Sequence, residues 1–252
     1  MMPESPDPRM IRQAAALLAT HLRQRREGGE KTVWLKPGLD WRGAGTKAQR
    51  LAKVETQAKT AAAPKELGTL RDAFVFATGN PEAELVFVGE APGSEEERLG
   101  EPFVGPAGEL LDKALVAMGL SRPEVYITNI VKYRPLTGDG DQGRANRKPT
   151  REEMESCLPF VRKEISIVRP KVVVALGGTA YSGLTGDYES TVGSVRGRFL
   201  DFGGRPLMVT YHPSYLLRNP AKGEKRKFWL DLLQVMEKLG MPISERQRGF
   251  FA

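Results

Sequence analysis

Four short apolar runs, each reaching a glycine or a polar residue and spaced by segments of helical period, constrain this chain more than any other feature. Leu85-Val86-Phe87-Val88 ends at Gly89, and residues 125–131 (VYITNIV) carry Asn129. Residues 171–176 end at Gly177-Gly178, and residues 205–210 end at Tyr211-His212. These runs are apolar at nearly every position rather than alternating. That is the pattern of strands buried on both faces, as in a parallel sheet covered by helices. Helical period marks residues 108–118, 151–168 and 225–239. Thr150 precedes the second of these with Glu153 three residues on, a capping-box signature.

The remainder of the chain is organised differently. Residues 1–75 read as a helical, partly flexible extension, with one helix expected over 11–26 and a second, basic one over 46–63. Residues 76–252 form the α/β domain. No run of about 18 apolar residues exists, so no membrane span is expected. The N-terminus lacks the basic-then-apolar layout of a signal peptide. The single cysteine, Cys157, excludes an internal disulfide and any metal cage built of cysteines alone. Together these features point to the cytoplasm. The net charge is +7, which suits a polyanionic partner because Lys and Arg release counterions from nucleic acid. Charge alone fits a basic protein without such a partner equally well.

Ligands of parallel sheets bind beyond the C-terminal strand ends. There the chain gathers Gly89-Glu90-Ala91-Pro92-Gly93, Asn129, Gly177-Gly178 and His212-Pro213-Ser214. The first of these, with Pro102-Phe103-Val104-Gly105 soon after, lets backbone N–H groups approach a ligand closely, or simply makes a tight strand-to-helix turn. The Asn129 amide offers a donor and an acceptor to a ligand edge, or bonds its own loop. Gly177-Gly178-Thr179 supplies N–H groups to a phosphate at a helix start, or only packs helix on strand.

The runs VFVGEAPGSEEERLGEPFVGPAGELLDKAL, YITNIVKYRP and YHPSYLLR, in this order, resemble the family 4 uracil-DNA glycosylases over roughly residues 76–240. The resemblance implies a three-layer α/β/α sandwich around a central four-stranded parallel sheet. It also implies an enzyme that flips uracil out of DNA and hydrolyses its bond to deoxyribose. Catalysis would fall to Glu90 and His212, with His212 donating to uracil O2 as the leaving base takes up charge. Gly89, Ala91, Phe103 and Asn129 would bind the base, with Phe103 stacking on it and Asn129 pairing with O4 and N3–H. Glu90 would hold the attacking water or support the cationic sugar, since its neighbour Ala91 has no group to do so, or it would only hold the turn. Ser214, Leu216, Leu217 and Arg218 would face DNA, an apolar side chain wedging into the vacated gap and a cation meeting phosphate. Arg144, Arg147 and Lys148, in the long 136–148 link, would grip phosphates, or the link is a solvated, flexible loop. That link holds no histidine, so the covalent sugar trap of a related subgroup is not expected.

The chain departs from the family at its metal site. Family 4 enzymes hold a four-iron cluster with four cysteines, whereas here Tyr133 stands in Lys132-Tyr133-Arg134-Pro135 and only Cys157 remains. No iron–sulfur cluster and no other cofactor or metal is expected. The partner implied is uracil-containing DNA, met as a monomer. A catalytically weak reader of uracil or abasic DNA, and a glycosylase for hypoxanthine or xanthine, are the alternatives.

Overall fold

The computed structural model describes residues 45–138 and 142–251. The helix expected over 11–26 and residues 139–141 of the long link lie outside the described residues. Thr46 caps the first helix, α1 (Lys47–Thr60), in a capping box with Gln49, and α2 (Ala62–Glu66) follows. Then come β1 (Leu70–Phe74), β2 (Ala77–Gly79), β3 (Leu85–Gly89), α3 (Ser94–Leu99), α4 (Pro106–Met118), β4 (Tyr126–Asn129) and β5 (Tyr133–Pro135). The second half holds α5 (Arg151–Val168), β6 (Val172–Leu176), α6 (Gly178–Thr185), α7 (Val192–Val195), β7 (Phe199–Asp201) and β8 (Pro206–Thr210). It closes with α8 (Pro213–Arg218), α9 (Lys222–Leu239) and α10 (Glu245–Arg248).

The four expected strands are present, parallel and adjacent, in the order β4-β3-β6-β8. The sheet is wider than expected. Antiparallel β2 and β7 extend its two edges to six strands, and β1 pairs with β5 in a separate two-stranded sheet. These additions are three to five residues long and mostly half-buried, too short to show a period of their own.

Strand side chains alternate between two cores, as the pleat requires. Val86, Val88, Val173, Ala175, Leu207 and Val209 pack in one layer, with side chains of α1, α5 and α6. Leu85, Phe87, Val172, Val174, Leu176 and Met208 pack in the other, with α4 and α9. Helices on both faces of one sheet make the three-layer sandwich. Thr150 caps α5 and pairs reciprocally with Glu153, as the sequence indicated.

Residues of α1 enter the first core directly. Leu51 and Val54 are buried there beside Tyr133, Met154, Cys157 and Leu158. Tyr133 stacks obliquely on Phe74, with ring centroids 5.4 Å apart, and its hydroxyl reaches the Ala58 and Lys59 carbonyls only at 3.5 Å. Contacts that long contribute little, so the ring rather than the hydroxyl holds this corner. Tyr133→Ala is therefore expected to cost about 3–5 kcal/mol of stability, and Tyr133→Phe under about 1 kcal/mol. Urea denaturation midpoints of the two variants check this.

Candidate active site

The parallel register places Gly89, the last residue of β3, opposite Asn129, the last of β4. Ile130 and Val131 then donate backbone N–H bonds to the Gly89 and Glu90 carbonyls, each at 3.0 Å. These bonds weld the two strand ends together. A Cβ on Gly89 would lie 2.3 Å from Asn129 Oδ1 and 2.4 Å from the Phe103 ring. Glycine is needed there for close approach rather than for a turn. Asn129 is buried, its amide has no hydrogen-bond partner among the described residues, and it borders an open cavity. The amide is therefore open to the cavity, where a ligand edge could pair with both its donor and its acceptor.

Phe103 sits in the left-handed region with φ of 57°, rare for a non-glycine residue. Its carbonyl is held by Arg122 Nη2, while Nη1 bonds the Pro102 carbonyl at 3.2 Å and Nε bonds Asp112 at 2.7 Å. Gly108 permits this fold-back, since a Cβ there would stand 1.8 Å from the Phe103 carbonyl oxygen. Glu96 fastens the same region from the other side. Its carboxylate accepts N–H bonds from Gly93 (3.0 Å), Val104 (3.0 Å) and Gly105 (2.9 Å), tying the turn after β3 to the Phe103 loop. The Phe103 ring then lies 5.6 Å from the His212 ring at 30°.

His212 caps α8. Its Nδ1 accepts the Ser214 backbone N–H at 3.1 Å, and Ser214 Oγ lies 2.8 Å from the same nitrogen. A nitrogen that accepts from a backbone N–H carries no proton, so the neutral ring bears its hydrogen on Nε2. Burial, with the Arg218 charge adding to it, pushes the imidazole pKa down to about 4. Nε2–H is thus a neutral, preset donor. Gly177, with φ of 89°, lets the start of α6 pass close to His212, whose Cβ would be 3.0 Å from an added Cβ.

Glu90 accepts a short hydrogen bond from the Thr179 hydroxyl. Desolvation raises its pKa, and the Thr179 bond, Lys148 and Arg218 partly offset the rise. The carboxylate is held where it can take a proton more readily than an exposed glutamate.

Glu90, Ala91, Phe103, Asn129, Arg147, Lys148, His212, Ser214, Leu217 and Arg218 all line one cavity of about 730 Å³. Gly89 lies directly behind it. Two expected DNA contacts are corrected. Leu216 is buried in the second core and cannot wedge into DNA, whereas Leu217 is 47% exposed. The Arg147 guanidinium bonds both Glu153 oxygens, at 2.8 and 2.6 Å, and the Thr69 carbonyl, so it braces the loop and is not available to phosphate. Arg144 is exposed outside the cavity, beside Glu95. The sequence reading missed Glu96 and Asn146. The Gly93-x-x-Glu96 spacing is a capping signal that could have found the first. No local pattern marks the second.

A profile of the Uracil DNA glycosylase superfamily matches residues 76–233. The chain belongs to that superfamily. It is 43% identical over 169 residues to a Type-4 uracil-DNA glycosylase of Thermotoga maritima, covering 67% of this chain and 83% of that protein. It is 41% identical over 159 residues to a Type-4 uracil-DNA glycosylase of Pyrobaculum aerophilum (59% and 76% covered). A Type-4 uracil-DNA glycosylase of Archaeoglobus fulgidus matches at 38% over 159 residues (60% and 76%). Membership makes the chain an enzyme, a hydrolase acting on N-glycosyl bonds of DNA. Among the described residues, no helix is long and apolar enough to cross a membrane.

The residues present do not fit a four-cysteine iron–sulfur cluster. One thiol, Cys157, is available in the whole sequence, and burial pushes its pKa up. Around it lie Tyr133 and apolar side chains of α1 and α5 in close packing. One thiolate cannot hold four irons.

The Ser214 bond to Nδ1 makes the state of His212 measurable. Nitrogen-15 NMR is expected to show the Nε2–H tautomer at neutral pH, with protonation only near pH 4. Because the unfolded imidazole titrates at about 6.5, the unfolded chain binds more protons between the two values. The His212 contribution to stability should therefore fall as pH drops through that window.

Proposed function

We propose that the chain is a uracil-DNA glycosylase of base excision repair, acting as a monomer in the cytoplasm and leaving an abasic site. The single observation that carries this reading is the convergence of Glu90, Phe103, Asn129 and His212 on one cavity. A uracil lifted from the strand stacks on Phe103. The unpartnered Asn129 amide pairs with O4 and N3–H, a pattern cytosine reverses. As the N1–C1′ bond breaks, its electron pair moves onto the base. The His212 Nε2–H donor stabilises the charge that collects on O2. A neutral imidazole suits this task, because it donates without placing a cation beside the oxocarbenium-like sugar. Water held by Glu90 adds to C1′ and yields its proton to the carboxylate. The absence of usable cysteine donors supports a reaction without an iron–sulfur cluster. Iron analysis and the visible spectrum of protein purified without air are expected to show neither iron nor cluster absorbance.

On this reading His212→Ala lowers the single-turnover rate on uracil DNA by about 10²–10³-fold. Asn129→Asp is expected to admit cytosine. The pH dependence follows from Glu90. Its raised pKa means the reactive carboxylate is lost as pH falls through a value above that of an ordinary glutamate. Removing the Thr179 donor takes away the largest stabiliser of the anion, so Thr179→Val should move the acid limb of the pH–rate profile to higher pH. An unmoved limb would remove Glu90 from the chemistry. A catalytically weak reader of uracil DNA is the second reading, favoured by Ala91 beside Glu90. It requires tight binding with negligible turnover and no effect of Glu90→Gln.

A further inference from the structure

The segment that follows β5 is Gly-rich and polar, yet residues 142–148 are fastened at many points. Arg134, on β5, has a side chain only 3% exposed. Its Nε donates to Asn146 Oδ1 at 2.9 Å, and its Nη2 donates to the Gly143 and Ala145 carbonyls at 2.8 Å each. Nη1 pairs with Glu97 of α3 at 2.9 Å. Gln142 Nε2 adds bonds to the Pro135 and Ala145 carbonyls at 2.9 and 2.8 Å. Arg147 pins the far end to Glu153.

A planar guanidinium offers its donors in a fixed fork, so one buried arginine can set the shape of a whole turn. This fork has a directional result. It occupies the Asn146 carbonyl oxygen, which leaves the Asn146 NH₂ as the free end of the amide. That NH₂ lies 3.4 Å from where a Cβ of Gly93 would stand, on the cavity wall. Lys148, two residues on, lines the same wall and has no ion-pair partner among the described residues. Arg218 of α8, likewise unpaired among the described residues, lines the cavity as well. Two cations and an amide donor around one opening are the chemistry of a phosphodiester site.

We propose that Arg134 is a positioning residue: through loop 142–148 it holds the Asn146 amide and the Lys148 ammonium as one side of a subsite for a DNA phosphate, with Arg218 contributing to the same subsite. The proposal rests on the reading that a flipped nucleotide enters this cavity, because the phosphate meant is one flanking that nucleotide. Arg134 itself does not touch DNA.

The test is binding of the full chain to two single-stranded oligonucleotides, one carrying a single 2′-fluoro-2′-deoxyuridine that resists cleavage and one carrying thymidine there. Binding is measured over a range of salt. Lys148→Ala should weaken binding to both strands and lower the slope of log K against log salt by roughly 0.7, the value for one single-strand phosphate contact. Arg134→Gln should reproduce that loss of slope, and the Arg134→Gln/Lys148→Ala double variant should lose no more than Arg134→Gln alone. Arg134→Lys, which keeps the charge but not the fork, should fail to restore the slope.

Asn146→Asp keeps the acceptor that Arg134 holds and turns the free donor into an acceptor. It should fold normally and still weaken binding, which keeps the test open if Arg134→Gln does not fold. A folded Arg134→Gln with wild-type slope, additive losses in the double variant, or wild-type binding by Asn146→Asp would overturn the proposal. Wild-type protein that grips both strands with the expected slope but never cleaves an otherwise identical strand carrying 2′-deoxyuridine would sink the glycosylase reading and leave the phosphate subsite standing.

Discussion

The parallel register of β3 and β4 is the constraint on which the rest of this enzyme depends. Backbone bonding through Gly89–Asn129 and onward to Ile130 and Val131 fixes the two strand ends as one unit. The Asn129 amide, the Glu90 turn and the Phe103 ring are all positioned against it. Because side chains alternate with period two, a slip of one residue would send Asn129 to the opposite face. The paired hydrophobic layers on either side of the sheet forbid such a slip, since each strand would expose one core and invert the other. The geometry of the cavity is thus underwritten by apolar packing that never touches the ligand.

Charge inside the cavity obeys a common rule. Glu90 is drawn toward its neutral form and His212 is kept neutral, in both cases chiefly because burial penalises the ion. The cations, Lys148 and Arg218, line the wall and moderate Glu90 from there. A site arranged in this way spends little on ground-state charge and responds strongly when charge appears on a leaving group or a sugar.

Much of this was legible in the sequence, for reasons that differ by element. The four parallel strands announced themselves because burial on both faces leaves an uninterrupted apolar run, and α5 did so through the Thr150–Glu153 box. The rim residues Glu90, Asn129 and His212 followed from strand ends plus the ordered motifs. The edge strands β2 and β7 and the small β1–β5 sheet stayed hidden because runs of three to five residues are too short to carry a period. Leu216 and Leu217 are adjacent and chemically alike, and only the rotation of α8 decides which is buried. Arg147 looked like a phosphate ligand because a sequence shows a cation but not the Glu153 that occupies it. Arg134 and Asn146 are joined across twelve residues, beyond the reach of any local pattern.

The backbone at Phe103 sets two demands against each other. A φ of 57° is adopted readily by glycine or asparagine, and at some cost by an aromatic residue. Conformational ease therefore pulls this position toward a small side chain, while the cavity calls for a flat ring. The Arg122 grip and the space left by Gly108 let the ring prevail. Variation at residues 108 and 122, well behind the cavity, is consequently coupled to residue 103. A lineage that lost either support would find the smaller residue favoured at 103, trading its aromatic floor for a relaxed main chain.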